Sequence, residues 1–376
     1  MDFDYSEEQR LLDDTVGRLV RDEYDFAARK KYQAEPQGYS AAIWAKLAEL
    51  GLLALPFAEE DGGIGGGGIE TMIVMQAFGR GLVLEPYLST VILSGGLVSL
   101  AGSAAQKAAI LPRIAAGELK LAFAQAERRS RFDLAHIETT AKKSGQGFVL
   151  DGHKTMVLHG GAADRLIVSA RTAGGKADAD GISLFLVDRD ADGVTIHDYP
   201  TVDGLRAADI QFTNVGVGAD ALLGREAGAL PVMTAIVDHA VAALSAEAVG
   251  IMETLNAMTL DYLKTRKQFG VAIGSFQALQ HRMVDNVIAA EQAKSLTIFA
   301  AMSVDGEDAA ARARAVSAAK IQVGQSGRLV GQQSIQLHGG IGMTDEYAAG
   351  HYFKRLSAIE HTFGNTDYHL DRFPTF

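Results

Sequence analysis

The stretch MTAIVDHAVAALSAEAVGIMETL, residues 233–255, carries Met233, Ile236, Val237, Ala240, Val241, Leu244, Ile251, Met252 and Leu255 at three- and four-residue spacing. The stripe continues past Met258 towards Lys267, and this period is that of a helix. A helix so long and so broadly apolar needs partners on more than one side to cover it. Three further amphipathic segments follow, at 275–305, 307–338 and 345–360, and four long helices of this kind pack as a bundle.

Upstream, between about 118 and 225, the pattern shortens to β-prone runs: LAFAQ, GFVLDG, TMVLHG, DRLIVSA, GISLFLVD, GVTIHDY and ADIQFTNV. Gly, Asp and Asn turns bound them at the spacing of a β-barrel or sandwich. Before 118 the helical period returns, at 5–22, 40–50, 69–80 and 103–116. Between these helices lies EEDGGIGGGG, residues 59–68, with six glycines. It follows no strand and lacks the Lys-Ser/Thr of a phosphate-binding P-loop, so it reads as a flexible loop. The expected fold is therefore α+β in three regions: an N-terminal α-helical domain over 1–117, a middle β-barrel domain over 118–225 and a C-terminal four-helix bundle over 226–376.

The 376 residues are too many for one hydrophobic core, which suits that division. A hydrophobic fraction of 48%, a charged fraction of 22% and only 7 Pro belong to a folded helical enzyme. Net charge is −11 and the longest basic run is Arg29-Lys30-Lys31, which gives a nucleic-acid backbone nothing to bind. The absence of cysteine excludes disulfides, thiolate metal sites and thiol nucleophiles, and suits a reducing compartment. No metal site is read. The N-terminus MDFDYSEEQR is acidic and amphipathic, unlike a signal or transit peptide, and Arg80, Glu85 and Pro86 interrupt the apolar run 73–100 before it reaches membrane-span length. The cytoplasm is the expected compartment.

Two strings carry a resemblance. Arg266-Lys267-Gln268-Phe269-Gly270, followed by Ser275-Phe276-Gln277, falls at the turn between the first two bundle helices, and Gln336-Leu337-His338-Gly339-Gly340-Ile341-Gly342 ends the third. Both are similar to signatures of the acyl-CoA dehydrogenase family, whose α–β–α order the chain shares from Met1 to about Leu370. The resemblance implies FAD, an acyl-CoA substrate, oligomer formation and electron-transferring flavoprotein as electron acceptor. It also implies that Arg266, Phe269, Gln277, Gln336, Gly339 and Gly340 bind a neighbouring subunit's FAD across an interface. The chemistry is suitable: an Arg is a fixed bidentate donor to pyrophosphate, glycines let backbone N–H groups approach phosphate, and Phe269 offers a flat face to adenine or ribose.

The same resemblance places LAFAQAE (121–127) and GHKTMVL (152–158) on flavin-contacting strands, and here the chain departs from the family. The usual hydroxyl residue is Ala126, the usual Trp is Met156 and the usual Thr or Ser is Leu158. A flavin ring needs donors at its N5 and O4 edges, and three contacts that hold or tune it are changed. The base that removes the α-proton is ordinarily a Glu directly before a Gly; before Gly364 stands Phe363. The family's alternative base position aligns with Ala240, and the Arg that often follows it aligns with Val241. Other acids are weaker candidates. Glu247 lies near the apolar stripe, where burial can raise a carboxyl pKa, Asp238 points about 200° from position 240, and Glu360 lies three before Phe363. His338 and His361 read as hydrogen-bonding groups rather than proton carriers.

Changed ring contacts and base, with retained residues for a neighbour's FAD, resemble the pimeloyl-CoA dehydrogenase small subunit and the base-lacking halves of heteromeric acyl-CoA dehydrogenases. The expected function is FAD-dependent α,β-dehydrogenation of an acyl-CoA thioester alongside a related chain that supplies the base. The alternatives are a self-sufficient homotetramer with an atypical base such as Glu247, and a structural subunit that binds no flavin.

Overall fold

The protein is described here by a computed structural model covering residues 4–375. The first three residues of the acidic N-terminal stretch, and Phe376, lie outside the described residues. Helix α1 (Glu7–Glu23) starts at a reciprocal cap: Ser6 Oγ accepts from Gln9 N–H and the Gln9 side chain accepts from Ser6 N–H. Asp25 caps α2 (Phe26–Gln33) and Ser40 caps α3 (Ala41–Glu49). Helix α4 (Gly68–Gly81) follows the glycine loop, and π-helical turns over Leu88–Gly95 run into α5 (Gly96–Ala101), then α6 (Ala104–Ala115). The periodicity marks α1, α3, α4 and α6 but not 88–101, because that segment is apolar on nearly every side and buried, so no stripe distinguishes it.

The middle region is one eight-stranded sheet: β1 (Leu121–Ala124), β2 (Thr140–Ser144), β3 (Gly147–Leu158), β4 (Arg165–Arg171), β5 (Ile182–Asp188), β6 (Val194–Pro200), β7 (Arg206–Val217) and β8 (Leu222–Leu223). The ladder runs β6-β7-β3-β2-β4-β5-β8, with β1 added parallel to β4. The runs GFVLDG and TMVLHG form one strand, β3, whose pairing with β7 shifts twice, after Leu150 and after Lys154. Gly152 sits at the first shift because a Cβ there would lie 2.3 Å from the Thr139 hydroxyl.

Helix α7 (Leu230–Thr265) carries the long stripe, and a two-stranded hairpin, β9 (Lys267–Gln268) with β10 (Val271–Ala272), turns the chain into α8 (Gln277–Ser303). Helices α9 (Ala309–His338), α10 (Ala349–His361) and the short α11 (Thr366–Arg372) complete the region. Helices α7 to α10 form the bundle around Leu244, Leu255, Ala293, Val323, Val330 and Ile359. On its other side α7 is crossed by α4: a Cβ on Gly250 would lie 1.9 Å from the Gln76 carbonyl oxygen, and one on Gly79 2.0 Å from that of Glu247. Among the described residues α7 alone is long and apolar enough to cross a membrane, and it is buried between α4 and the bundle.

Where the N-terminal helices meet the sheet, Glu85 is 5% exposed, accepting from the Tyr24 hydroxyl at 2.6 Å and Ser40 N–H at 3.2 Å. Burial outweighs these bonds and pushes its pKa up to about 7. A carboxyl with a raised folded-state pKa contributes its full stability below about pH 4.5 and loses it as pH rises through 7. The expected loss is about 3 kcal/mol, from a shift of about 2.5 pH units. Urea unfolding at pH 5 and pH 8.5 checks this, because Glu85→Gln should flatten the slope; an unchanged slope contradicts it.

Candidate active-site cleft

A cavity of about 790 Å³ opens between the sheet, the bundle and the segment before α5. Its sheet wall contains Ala126, Met156 and Leu158, the positions read as flavin-contacting. Thr155 N–H donates to Ala126 O at 2.9 Å and joins the two strands there. Met156 has φ 53°, lies half exposed and gives its N–H to Asp209, which also accepts from the Tyr199 hydroxyl at 2.7 Å. Burial, with Asp209 adding to it, pushes Tyr199 up to about 12, so its hydroxyl stays a neutral donor.

Phe363 lines the opposite wall, at the position where a base was sought. Its backbone is left-handed (φ 55°) and Gly364 follows at φ 111°, where a Cβ would lie 2.4 Å from the Tyr368 ring. Lys320 Nζ donates to Gly364 O at 2.5 Å, and His369 Nε2–H donates to Phe363 O at 3.1 Å. Burial pushes Lys320 down to about 8 and His369 down to about 3, so the histidine is a neutral clamp. The turn is firmly held, but it presents a benzyl group that cannot accept a proton. Ala240 is fully buried in the core and does not line the cavity.

The remaining acids are engaged. Glu247 is corrected as a base candidate: it lies outside the cleft, with Oε1 and Oε2 bonded to Arg355 at 2.6 and 2.7 Å, and Arg355 also binds Asp203 at 2.7 Å. A carboxylate gripped by a buried guanidinium is a poor proton acceptor. Asp238 does line the cleft but pairs with Arg372 at 2.7 Å and Arg312 at 3.7 Å. Glu360 caps Thr366 at 3.0 Å away from the cleft. Glu127 pairs with buried Lys154 at 2.8 Å; burial alone would raise its pKa, but the lysine and the backbone donors hold it below the usual range. His361 lines the cleft, whereas His338 is buried at the end of α9, donating from Nδ1 to Ser334 O and stacking 4.7 Å from Tyr262.

Arg266, Phe269, Gln277, Gln336, Gly339 and Gly340 all lie exposed at one end of the bundle, and none lines the cleft. Leu263, Met283 and Leu337 pack beneath them and join the ends of α7, α8 and α9. Phe269 is 93% exposed, and nothing lies within 4 Å of where a Cβ on Gly339 or Gly340 would be, so a phosphate could approach that backbone. Among the described residues the Arg266 guanidinium has no ion-pair or hydrogen-bond partner, while its backbone bonds Tyr262 O and Ile273 N–H. This surface therefore fits the pyrophosphate and adenosine half of FAD. The chain's own cleft has the volume for a flavin ring, but its side chains at 126, 156 and 158 offer no ring-edge donors. Sequence reasoning missed the segment 128–133, which enters the cleft with Arg128, Arg131 and Phe132; the visible signal was the cluster RRSR in an acidic chain.

Three stretches match domain models of one family: "Acyl-CoA dehydrogenase, N-terminal domain" over 6–118, its "middle domain" over 122–215 and its "C-terminal domain" over 227–373. The chain belongs to the acyl-CoA dehydrogenase family, FAD-dependent oxidoreductases acting on CH–CH bonds. It is 28% identical over 365 residues to the probable acyl-CoA dehydrogenase YngJ of Bacillus subtilis, covering 96% of this chain and 95% of that one. It is 30% identical over 353 residues to acyl-CoA dehydrogenase FadE12 of Mycobacterium tuberculosis, covering 92% and 89%. Among solved structures, a chain of the ChsE4-ChsE5 complex from Mycobacterium tuberculosis superposes with a TM-score of 0.90 at 25% identity, covering 100% of this chain and 98% of that one.

Proposed function

We propose that this chain is one subunit of a heteromeric, cytoplasmic acyl-CoA dehydrogenase, similar to the pimeloyl-CoA dehydrogenase small subunit and other base-lacking halves. In this assembly a related partner chain supplies the catalytic base and the flavin-ring pocket. Arg266 binds the pyrophosphate of the partner-held FAD, Phe269 faces its adenosine, Gln277 and Gln336 bond its polar rim, and Gly339 and Gly340 admit the phosphates. FAD supplies the acceptor for the hydride leaving the β-carbon of the acyl-CoA, and electron-transferring flavoprotein is the proposed onward acceptor. The observation that carries this reading is the separation of the two sites: an exposed FAD-binding surface at the bundle end, and an own cleft whose wall and base turn end in Ala126, Met156, Leu158 and Phe363. That a structural neighbour is a two-component complex supports it.

The test is FAD content and turnover of the chain alone and after co-expression with its related chain. The expected result is little FAD and no acyl-CoA dehydrogenation alone, and about one FAD per pair with turnover in the complex. A yellow, active protein without a partner would instead establish the homotetramer reading, and a complex in which Arg266→Ala leaves FAD content and turnover unchanged would establish a structural subunit. In the heteromer Arg266→Ala should weaken FAD binding at least about 10-fold, the value of a charge-assisted phosphate contact.

A further inference from the structure

The glycine stretch 59–68, read from sequence as a flexible loop, is a fixed strap whose N–H groups are engaged one after another. Gly63 donates to Ala58 O at 2.9 Å, Ile64 to Ala54 O at 3.1 Å, Gly65 to Phe57 O and Gly66 to Leu55 O at 2.8 Å, and Gly67 to Glu70 Oε2 at 2.8 Å. Gly68, the first residue of α4, donates at 2.7 Å to Oδ2 of Asp305, which lies in the turn between α8 and α9. A Cβ on Gly68 would lie 2.3 Å from Ala301 O, so only glycine lets the strap close this far onto the bundle.

Beneath the strap lies a cavity of about 200 Å³, enclosed by α4, the turns of 88–95, α5, α7 and the chain just after α8. Among the described residues none lines both this cavity and the larger cleft. Phe57, Val91, Ile92, Ile236, Ala243 and Val304 give it buried apolar walls. Thr71, Ser99 and His239 join them, and neither hydroxyl nor His239 Nε2 has a hydrogen-bond partner among the described residues. His239 Nδ1 faces Asp305 Oδ1 at 3.8 Å, and the carboxylate favours the tautomer with its proton on Nδ1, which leaves Nε2 as an acceptor. Burial outweighs Asp305 and holds the His239 pKa below its usual value, so that acceptor persists at neutral pH.

We infer that this cavity is a ligand site separate from the acyl-CoA cleft, for an uncharged, ring-sized apolar molecule carrying one hydroxyl, such as a cyclic alcohol. An apolar cavity of about 150 Å³ holds benzene, so about 200 Å³ admits a six-membered ring with one substituent. The ring meets the apolar walls, while the hydroxyl donates to His239 Nε2 and accepts from Thr71 or Ser99. Asp305 beside the histidine disfavours a carboxylate, and a bare hydrocarbon would leave the three polar groups without partners. Such a ligand touches the strap, α4 and α7 at once, so it braces the N-terminal helices against the bundle. The inference holds whether or not the chain carries its own flavin.

Protein-observed NMR titration of the full chain with cyclohexanol and with methylcyclohexane, which match in shape, tests it. Cyclohexanol should shift the amides of 66–71 and 236–243. His239→Phe should weaken cyclohexanol by about 10-fold and leave methylcyclohexane unchanged, whereas Ala242→Leu, which fills the cavity, should weaken both. His239→Phe is the deciding variant, because a ring replaces a ring and Asp305 keeps its bond to Gly68, while a larger side chain at 242 can overpack α7. Dodecanoyl-CoA should not displace cyclohexanol. An absence of shifts in those amides, equal weakening of the two probes by His239→Phe, or displacement by the thioester, which would make the cavity the far end of the acyl cleft, would overturn the inference.

Discussion

Arg355→Met is expected to lower the free energy of unfolding by about 3–5 kcal/mol, the cost of leaving buried charge uncompensated. Arg355 is 8% exposed, makes a two-pronged bond to Glu247 and a further bond to Asp203, both still more buried. Burial alone would lower the guanidinium pKa, but the two carboxylates overcome it and hold the group charged. Asp203 lies between β6 and β7, Glu247 on α7 and Arg355 on α10, while Arg29 of α2 donates to Asp203 O at 2.9 Å. One cluster thus ties the N-terminal helices, the sheet and the bundle together. Methionine fills the volume but leaves two carboxylates in a site where neither has another cation as close. Urea unfolding measures the loss, and the double variant Arg355→Met/Glu247→Gln should recover part of it. A loss under about 1 kcal/mol would mean that water reaches the cluster. In the assembled dehydrogenase, Glu247→Gln should affect stability far more than turnover, the opposite of what a base would show.

The α–β–α order was legible because period is a local property: the stripe from Met233 to Leu255 can be satisfied only by a helix covered on several sides, and α7 is covered by α4 and the bundle. What could not be read was pairing across the chain. Nothing near Glu247 shows that Arg355, 108 residues on, neutralises it, and the apolar stripe around it suggested a raised pKa instead. The strand β2, TAKKS, has neither alternation nor β-branched density, and exists because β3 offers it a partner from Thr140 to Ser144. The departures at Ala126, Met156, Leu158 and Phe363 were visible from residue type alone, since no fold can make a benzyl or methyl group accept a proton or donate a hydrogen bond.

Lys154→Met carries the other large effect and has a signature that pH exposes. Lys154 is fully buried; its ammonium donates to Glu127 Oε1 at 2.8 Å, Ser169 Oγ at 3.0 Å and Gln125 O at 3.3 Å. Burial pushes it down to about 8 even with Glu127 beside it. Removing it leaves Glu127 with the N–H groups of Glu138 and Thr139 and no counter-charge, again at a cost of about 3–5 kcal/mol at neutral pH. In the parent the Glu127 pKa is depressed, so its contribution is present above the unfolded-state value and is lost as pH falls through the folded one. In the variant burial is opposed only by those two N–H groups and raises that pKa, so stability is lost as pH rises and returns on acidification. The deficit between parent and variant should therefore shrink from pH 7 towards pH 4, and a deficit constant over that range would show that Glu127 is not the group left uncompensated. Because the segment 128–133 is rooted on Glu127 through Ser130, its amides should exchange faster with solvent deuterium in the variant. Lys154→Met/Glu127→Gln, which removes both charges, should regain stability and lose the anomalous pH slope together.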